Sequence, residues 1–390
     1  MDHLTQHPLW SRNLVIATST SFFNVIGNGL WAALLPLYYR QLGANDVEIG
    51  FAFTLSLLAQ TFLQFAGGLL ADRIGRRWLL LTLMLNAPLF ISAGLTRDWR
   101  VVMFAIAGTR MLMGTQWPAV FALISESVPR AMQGKAFGVF EFAIGLGATI
   151  GPLIGAILLE QWHADLGALL VVHGSIIGVT SLIRAGLMQE GQRNAPPSVQ
   201  HLREALSRDV RWFILAKGLM ITVESLTVAG PFFALFLHDV WSASGAQINL
   251  LTSVGSFSGT MIGLWGGHWT DRVGGRRVMI VSALGLAFAL LLWIVAPNLL
   301  WGFVPLLALF VLMQIHFIAQ EAQMAMLTTP QTRASMVGLI GTAQNLMASA
   351  SPSLGSALAP MFGLGAPFGF AIGICVLSAW AMSRVKKGNA

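Results

Sequence analysis

Twelve long apolar runs dominate this chain and constrain its fold more than any single motif. They fall at about residues 14–38, 47–71, 78–95, 101–125, 136–159 and 166–187, and after a polar break at about 212–237, 247–269, 278–296, 300–326, 336–359 and 366–383. Crossing the hydrocarbon core takes about 20 mostly apolar residues in a helix, so the runs predict an all-α integral membrane protein with twelve transmembrane helices. Composition agrees: 390 residues are 55% hydrophobic and 10% charged, against about 25% charged in soluble domains. The polar stretch Met1–Asn13 precedes a run too long for a signal-peptide core and without an evident cleavage site, so that run is read as the first span.

The break Gln189–Arg211 carries Ala195-Pro196-Pro197-Ser198 and, at His201–Arg208, a stretch suited to a short interfacial helix. It predicts an N-terminal six-helix half at 1–188, a cytoplasmic linker at 189–211 and a C-terminal six-helix half at 212–390. An even number of spans puts both termini on one side. Of 23 Lys and Arg, 18 fall on that side, Arg40, Arg97 and Arg100 on the other, and Arg110 and Lys217 within spans. Positive residues concentrate in cytoplasmic loops, so both termini are expected in the cytoplasm. The net charge of +7 is scattered through short loops rather than gathered on one tract, which argues against nucleic acid. A single cysteine, Cys375, excludes a disulfide framework and a cysteine-based metal site. No metal, cofactor or catalytic residue is expected.

The chain also repeats itself at an offset near 200. Gly67-Gly68-Leu69-Leu70-Ala71-Asp72-Arg73-Ile74-Gly75-Arg76-Arg77 returns as Gly266-Gly267-His268-Trp269-Thr270-Asp271-Arg272-Val273-Gly274-Gly275-Arg276-Arg277, one glycine longer. Gly138, Pro152 and Gly155 are matched by Gly338, Pro352 and Gly355. Two halves of like plan, with a substrate site between them near the midplane, are a known transporter architecture. The loop from Gly68 to Leu80 resembles the signature loop of the major facilitator superfamily, and the resemblance implies that fold and a bacterial inner-membrane location. In such a loop Asp72 with Arg73, Arg76 and Arg77, and Asp271 with Arg272, Arg276 and Arg277, can form ion pairs in one conformation and release them in another. They are the candidate gate.

Arg110-Met111-Leu112-Met113-Gly114 resembles the arginine motif of proton-coupled members, with Met113 in place of the usual polar residue. A guanidinium so deep in a span requires a partner or a wet cavity. Gly147, Gly151, Pro152 and Gly155 resemble the Gly-Pro motif of the drug:proton antiporters, although its final glycine is Ala156. Spacing by four puts the glycines on one face, where a neighbouring helix can approach closely.

Glu141, Glu224 and Glu321 each interrupt a long apolar run. A desolvated carboxylate binds a proton more readily, and intramembrane acids mark proton pathways. Glu224, near mid-span, leads this set. Glu141 lies within reach of Arg110 if the fourth and fifth spans touch, and Glu321, near the end of the tenth, suits a gate as well as a proton site. Lys217, two turns from Glu224, is placed at the cytoplasmic rim. Polar and aromatic side chains in several spans are candidates for a central cavity: Asn24, Asn28 and Trp31, Gln60 and Gln64, Trp117, His316 and Gln320, Gln344 and Asn345. On span ten, His316, Gln320 and Gln323 form one stripe and Gln314 with Glu321 a nearly opposite one, and only one can face a cavity.

No Walker loop, zinc spacing or nucleophile elbow is present, which disfavours an ATP-driven pump or a membrane hydrolase. The expectation is a monomeric secondary transporter, a proton-coupled exporter of small amphipathic or lipophilic compounds working by alternating access, with substrate, protons and the bilayer as its partners. A metabolite or sugar porter or uniporter of the same fold, or a non-transporting receptor, is the alternative.

Overall fold

The structure, a computed structural model, describes residues 10–74, 82–129, 132–189, 206–327 and 333–386. Every regular element among them is helical. In chain order these are α1 (Arg12–Gly29), α2 (Leu35–Gln41), α3 (Asp46–Ile74), α4 (Asn86–Leu95), α5 (Trp99–Ser127), α6 (Gln133–Gln161), α7 (Leu166–Leu187), α8 (Arg208–Leu226), α9 (Phe232–Trp241), α10 (Gly245–Val273), α11 (Gly275–Val295), α12 (Leu299–Leu327), α13 (Arg333–Ser349), α14 (Ser351–Phe362) and α15 (Ala366–Ser383). Six of them hold a stretch long and apolar enough to cross a membrane, namely α3, α6, α7, α11, α12 and α15, and α4 and α9 are shorter apolar helices. Of the interfacial helix expected at His201–Arg208, residues 201–205 lie outside the described residues, Leu206 and Ser207 are not helical, and Arg208 starts α8.

Among the described residues, helix covers each of the twelve apolar runs, but three runs are interrupted. The first is broken between α1 and α2, the seventh between α8 and α9, and the eleventh between α13 and α14. Proline follows each break. Pro36 and Pro352 lie in the first turn of α2 and α14, and Pro231 is the N-cap of α9. Proline has no N–H to lose there, and its fixed φ suits a helix start. The seventh break turns at Thr227, with φ −119° and ψ −114°. Its freed donors are re-used: Thr227 N and Ala229 N donate to Glu224 O at 3.2 and 3.0 Å. Backbone inside a bilayer tolerates a break only where its polar groups find partners in this way.

The ends of the helices are capped by short polar side chains, which accept from orphan N–H groups. Asp165 Oδ1 accepts from Ala168 N at 2.6 Å to start α7. Ser244 and Gln247 form a reciprocal box at the start of α10, at 3.2 and 2.9 Å. The extra glycine of the second signature loop has a local cause. Gly274 has φ +88° and joins α10 directly to α11, a conformation that side chains disfavour. A Cβ on Gly275 would stand 3.0 Å from Ala319 O and 3.2 Å from Gln323 Oε1, so the start of α11 packs tightly on α12 there.

The chain forms two compact units, Met1–Ala32 with Ala59–Pro196, and Ala33–Leu58 with Pro197–Ala390. This grouping differs from a division at the linker alone, because residues 33–58 pack with the C-terminal unit. Thr54 Oγ1 lies 2.8 Å from Ser353 Oγ and accepts from Ser353 N at 3.2 Å, and a Cβ on Gly50 would collide with Ser356 and with Pro352 O. In the N-terminal unit, Leu14, Ala17, Ile124, Ala136 and Phe140 from α1, α5 and α6 form a buried cluster. The corresponding cluster of the C-terminal unit gathers Phe213, Met279, Met336 and Ala381 from α8, α11, α13 and α15.

Candidate functional site

The candidate residues of the N-terminal unit centre on α1. Asn24 Oδ1 accepts from Thr180 Oγ1 at 2.7 Å, and Trp31 Nε1 donates to His173 Nδ1 at 3.0 Å. Because Nδ1 accepts, the imidazole carries its proton on Nε2. Phe90 closes this group, its ring centroid 4.4 Å from that of His173 and 5.6 Å from that of Trp31. Trp31, expected on a cavity wall, is 3% exposed and its polar edge is engaged. Asn28, Gln60, Gln64 and Arg110 are half-buried, and Glu141 is exposed. The glycines of the fifth span pack on the first: a Cβ on Gly151 would stand 2.5 Å from Ile26 O and 3.0 Å from Gly29 Cα, and one on Gly147 3.0 Å from Phe22 O. Pro152 and Gly155 are buried in the same helix.

Arg184, one of the 18 cations counted on the side of the termini, is 4% exposed in the last turn of α7. Its Nε donates to Thr20 Oγ1 at 2.7 Å and its Nη2 to Ser21 Oγ at 2.8 Å. The C-terminal end of a helix favours a cation, which supports the charge without a carboxylate among the described partners.

In the C-terminal unit, Glu224 lies in the last turn of α8, directly before the break of the seventh span. Next to it Ser225 Oγ meets Ser351 Oγ, so the breaks of the seventh and eleventh spans are hydrogen-bonded to each other. The Glu224 side chain is half-buried, and no hydrogen bond or ion pair reaches it among the described residues. Gln344 Oε1 is also without a partner, and Asn345 is 7% exposed.

Span ten resolves into its two faces. His316 and Gln320 are each 2% exposed, and Gln323 4%. His316 Nδ1 lies 2.8 Å from Ser282 Oγ of α11. This stripe is buried, with His316 facing α11. Glu321, on the other face, has a side chain 41% exposed. It accepts from Lys217 Nζ at 2.8 Å, a pair joining α8 to α12. Lys217 is therefore inside the unit and ion-paired, rather than at a solvated rim. Sequence reasoning missed the pair, although depth was a usable signal: Lys217 is ~13 Å from the start of α8 and Glu321 ~9 Å from the end of α12, both measured from the side of the termini.

Of the candidate gate, Arg76 and Arg77 lie outside the described residues, as do the side chains of Asp72, Arg73 and the cavity candidate Trp117. Asp271, Arg272 and Arg277 are exposed, and no ion pair among the described residues involves Asp271. Arg276 instead donates to the carbonyls of Met382 and Ser383, at 3.3 and 2.6 Å, and so caps the end of α15.

Sequence and structure comparisons agree with this architecture. The profile of the Major Facilitator Superfamily matches residues 17–226 and 215–388. A multi-drug resistance efflux pump PmrA homolog from Lactococcus lactis is 25% identical over 73% of this chain and 72% of its own length. The multidrug resistance protein MdtG of Citrobacter koseri is 27% identical over 70% of each chain. The solved nucleoside transporter NupG superposes with a TM-score of 0.79 over 96% of this chain and 100% of its own, at 15% identity, a likeness of fold. A profile that matches twice in succession and nearly end to end accounts for the twelve runs, the repeated loop and the all-helical build together: this multi-pass membrane protein belongs to the Major Facilitator Superfamily and is a secondary transporter, not an enzyme.

Proposed function

We propose that this chain is a proton-coupled exporter of small amphipathic or lipophilic compounds, with Glu224 as its coupling acid. The observation that carries the reading is an acid without a partner, half-buried at the break of a span. Discontinuous helices are where transporters of this kind place substrate and ion sites, and an acid free of any cation has its proton affinity set by the local dielectric and water access. The relatives named for multidrug efflux support the substrate class. So do 17 Met and 24 Phe, which offer adaptable apolar surface. Glu141, Arg110 and Glu321 are secondary members of the proton path. Asn24, Asn28, Gln60, Gln64, Gln344 and Asn345 are the polar contacts for substrate.

In this reading the chain acts as a monomer, its halves 1–188 and 212–390 are the moving parts joined by 189–211, and both termini are cytoplasmic. The lopsided Lys and Arg distribution supports that orientation. A cysteine beside Asp271 should then be labelled only after permeabilisation.

The test is flux in proteoliposomes loaded with a lipophilic fluorescent cation under an imposed pH gradient. Glu224→Gln should abolish efflux driven by the gradient while leaving dye binding within about threefold. Undiminished gradient-driven efflux in the variant would remove Glu224 from the proton path, and efflux by the wild type that ignores the gradient would remove proton coupling itself.

A further inference from the structure

We infer that Lys217 is a binding point for a carboxylate on the exported compound, reached by exchange with Glu321; the inference rests on the exporter reading above and gives it a substrate class. Lys217 is 7% exposed, yet the only described hydrogen bond of its ammonium is the one to Glu321 Oε1 at 2.8 Å. An ammonium has three donors. Two of them have no partner among the described residues, at a position where an unsatisfied buried donor is costly.

Among the described residues, the helices packed on α8 supply no other anion. Of the helices packed on α8, α13 holds one ionisable residue, Arg333 at its start, and α14 and α15 hold only the sulfhydryl of Cys375. On α12 the remaining ionisable group is His316, which is in electrostatic range of Lys217; its Nδ1 faces Ser282 and its Nε2 has no partner. On α8 itself, Arg208, Asp209 and Arg211 lie in the first turn, and Glu224 is two turns beyond Lys217. Among the described residues, Glu321 is thus the anion paired with this cation.

The two partners differ in exposure. The Lys217 side chain is 8% exposed and that of Glu321 41%. A ligand approaching this pair meets the carboxylate first and the ammonium behind it. Removing the partner of a buried charge is strongly unfavourable unless another group of the same charge replaces it. A ligand carboxylate is that replacement. In the exchange, Glu321 releases Nζ and turns to the solvent that its side chain already meets, and the ligand carboxylate accepts from the ammonium with one oxygen or both. One carboxylate leaves the cation and one arrives, so the charge beside the ammonium is unchanged. Carboxylate-bearing and zwitterionic amphiphiles fit this site, and lipophilic cations bypass it.

Equilibrium binding to the purified full chain tests the inference with three matched probes: 4-phenylbutyrate, its methyl ester and 4-phenylbutylamine. In the wild type at pH 7 the acid should bind more tightly than the ester. Glu321→Gln, which leaves Lys217 without its internal partner, should tighten the acid by about tenfold and leave the ester unchanged. The charge-neutral double variant Lys217→Met with Glu321→Leu avoids stranding an unpaired ion, and should bind the ester as the wild type does with no added preference for the acid. Unchanged acid affinity in both variants, with ester binding intact, would overturn the carboxylate site and leave the exporter reading standing. Failure of the wild type to bind or export any of the three would overturn the exporter reading together with this one.

Discussion

Arg40 holds both oxygens of Asp239 with a single nitrogen, Nη1 standing 2.8 Å from Oδ1 and 2.7 Å from Oδ2 across 199 residues of chain. Its Nη2 reaches Asp46 Oδ1 at 2.6 Å, and His238 Nδ1 lies 2.7 Å from the same Asp239 Oδ1. The end of the first span, the start of the second and the end of the seventh are joined by this cluster. An arginine counted only as a loop charge in the sequence is therefore a structural tie within the C-terminal unit.

Breaking the tie should loosen residues 33–58. The groups are about one-third exposed, so solvent screening limits each pair to about 1 kcal/mol or less, roughly a fivefold change in population. Arg40→Gln should therefore raise maleimide labelling of a cysteine placed at Thr54 by up to about fivefold at low salt, and by less at high salt. The pH dependence has a definite sign. Burial works to raise the Asp239 carboxyl, but the hydrogen bonds from His238 and Arg40 and their charges outweigh it and hold the group below its usual 3.8. A depressed carboxylate contributes fully above its ordinary value and loses the contribution only as pH falls through the lower one. Labelling, normalised at each pH to that of a free thiol, should stay flat from pH 8 to 5. A rise of the normalised value already within that window would show that the Asp239 carboxylate does not control the tie.

Gly151→Val should destabilise the contact between α1 and α6, because the new side chain meets the backbone of Ile26 and Gly29, which cannot swing aside as a side chain would. Overpacking of this kind costs about 1–3 kcal/mol. Gly138→Ala in the same helix has nothing within 4 Å of its new Cβ and should be neutral. Thermal stability in detergent separates them, and equal melting of the two variants would show that the glycine face is not a close contact.

Much of the fold was legible because a bilayer imposes length on apolar runs, and length survives in sequence. The interruptions were less so. Residues 14–38 read as one run, and the break after Gly29 depends on how Leu30 and Trp31 pack. Pro36, Pro231 and Pro352, each placed at the start of a new helix, were the available sign. The site was legible in residue type but not in pairing. Glu224 was found because an acid stands out in an apolar run, whereas the bond between Lys217 and Glu321 spans 104 residues and only a match of depths could suggest it. For His316 and Gln320, periodicity gives a shared face and does not say whether that face meets a cavity or α11, where His316 meets Ser282.

Trp31→Phe keeps the ring and removes the N–H, leaving His173 Nδ1 as a buried acceptor without its donor. The cost should be about 1–3 kcal/mol. Replacing both partners by apolar groups is milder than stranding one, so Trp31→Phe with His173→Phe should melt above the sum of the two single losses. Strict additivity in that double-mutant cycle would mean that the 3.0 Å contact carries no coupling.

The repeated loop makes the sharpest division between structure and motion. Arg276 caps α15 through Met382 O and Ser383 O, so Arg276→Gln should lower thermal stability by about 1 kcal/mol, as loss of a cation at a helix C-terminus does. Asp271 is exposed and has no ion pair among the described residues, so Asp271→Asn should leave stability within about 0.5 kcal/mol. A gate would nevertheless need the Asp271 charge in a second conformation, where it pairs with an arginine. Asp271→Asn should then slow turnover in proteoliposomes severalfold at unchanged melting temperature, while Arg276→Gln should melt earlier and transport normally below its transition. Wild-type turnover in Asp271→Asn would leave the loop with one role, its arginines setting orientation and Arg276 holding the last helix, and would move the search for a gate to Arg40 and Asp239.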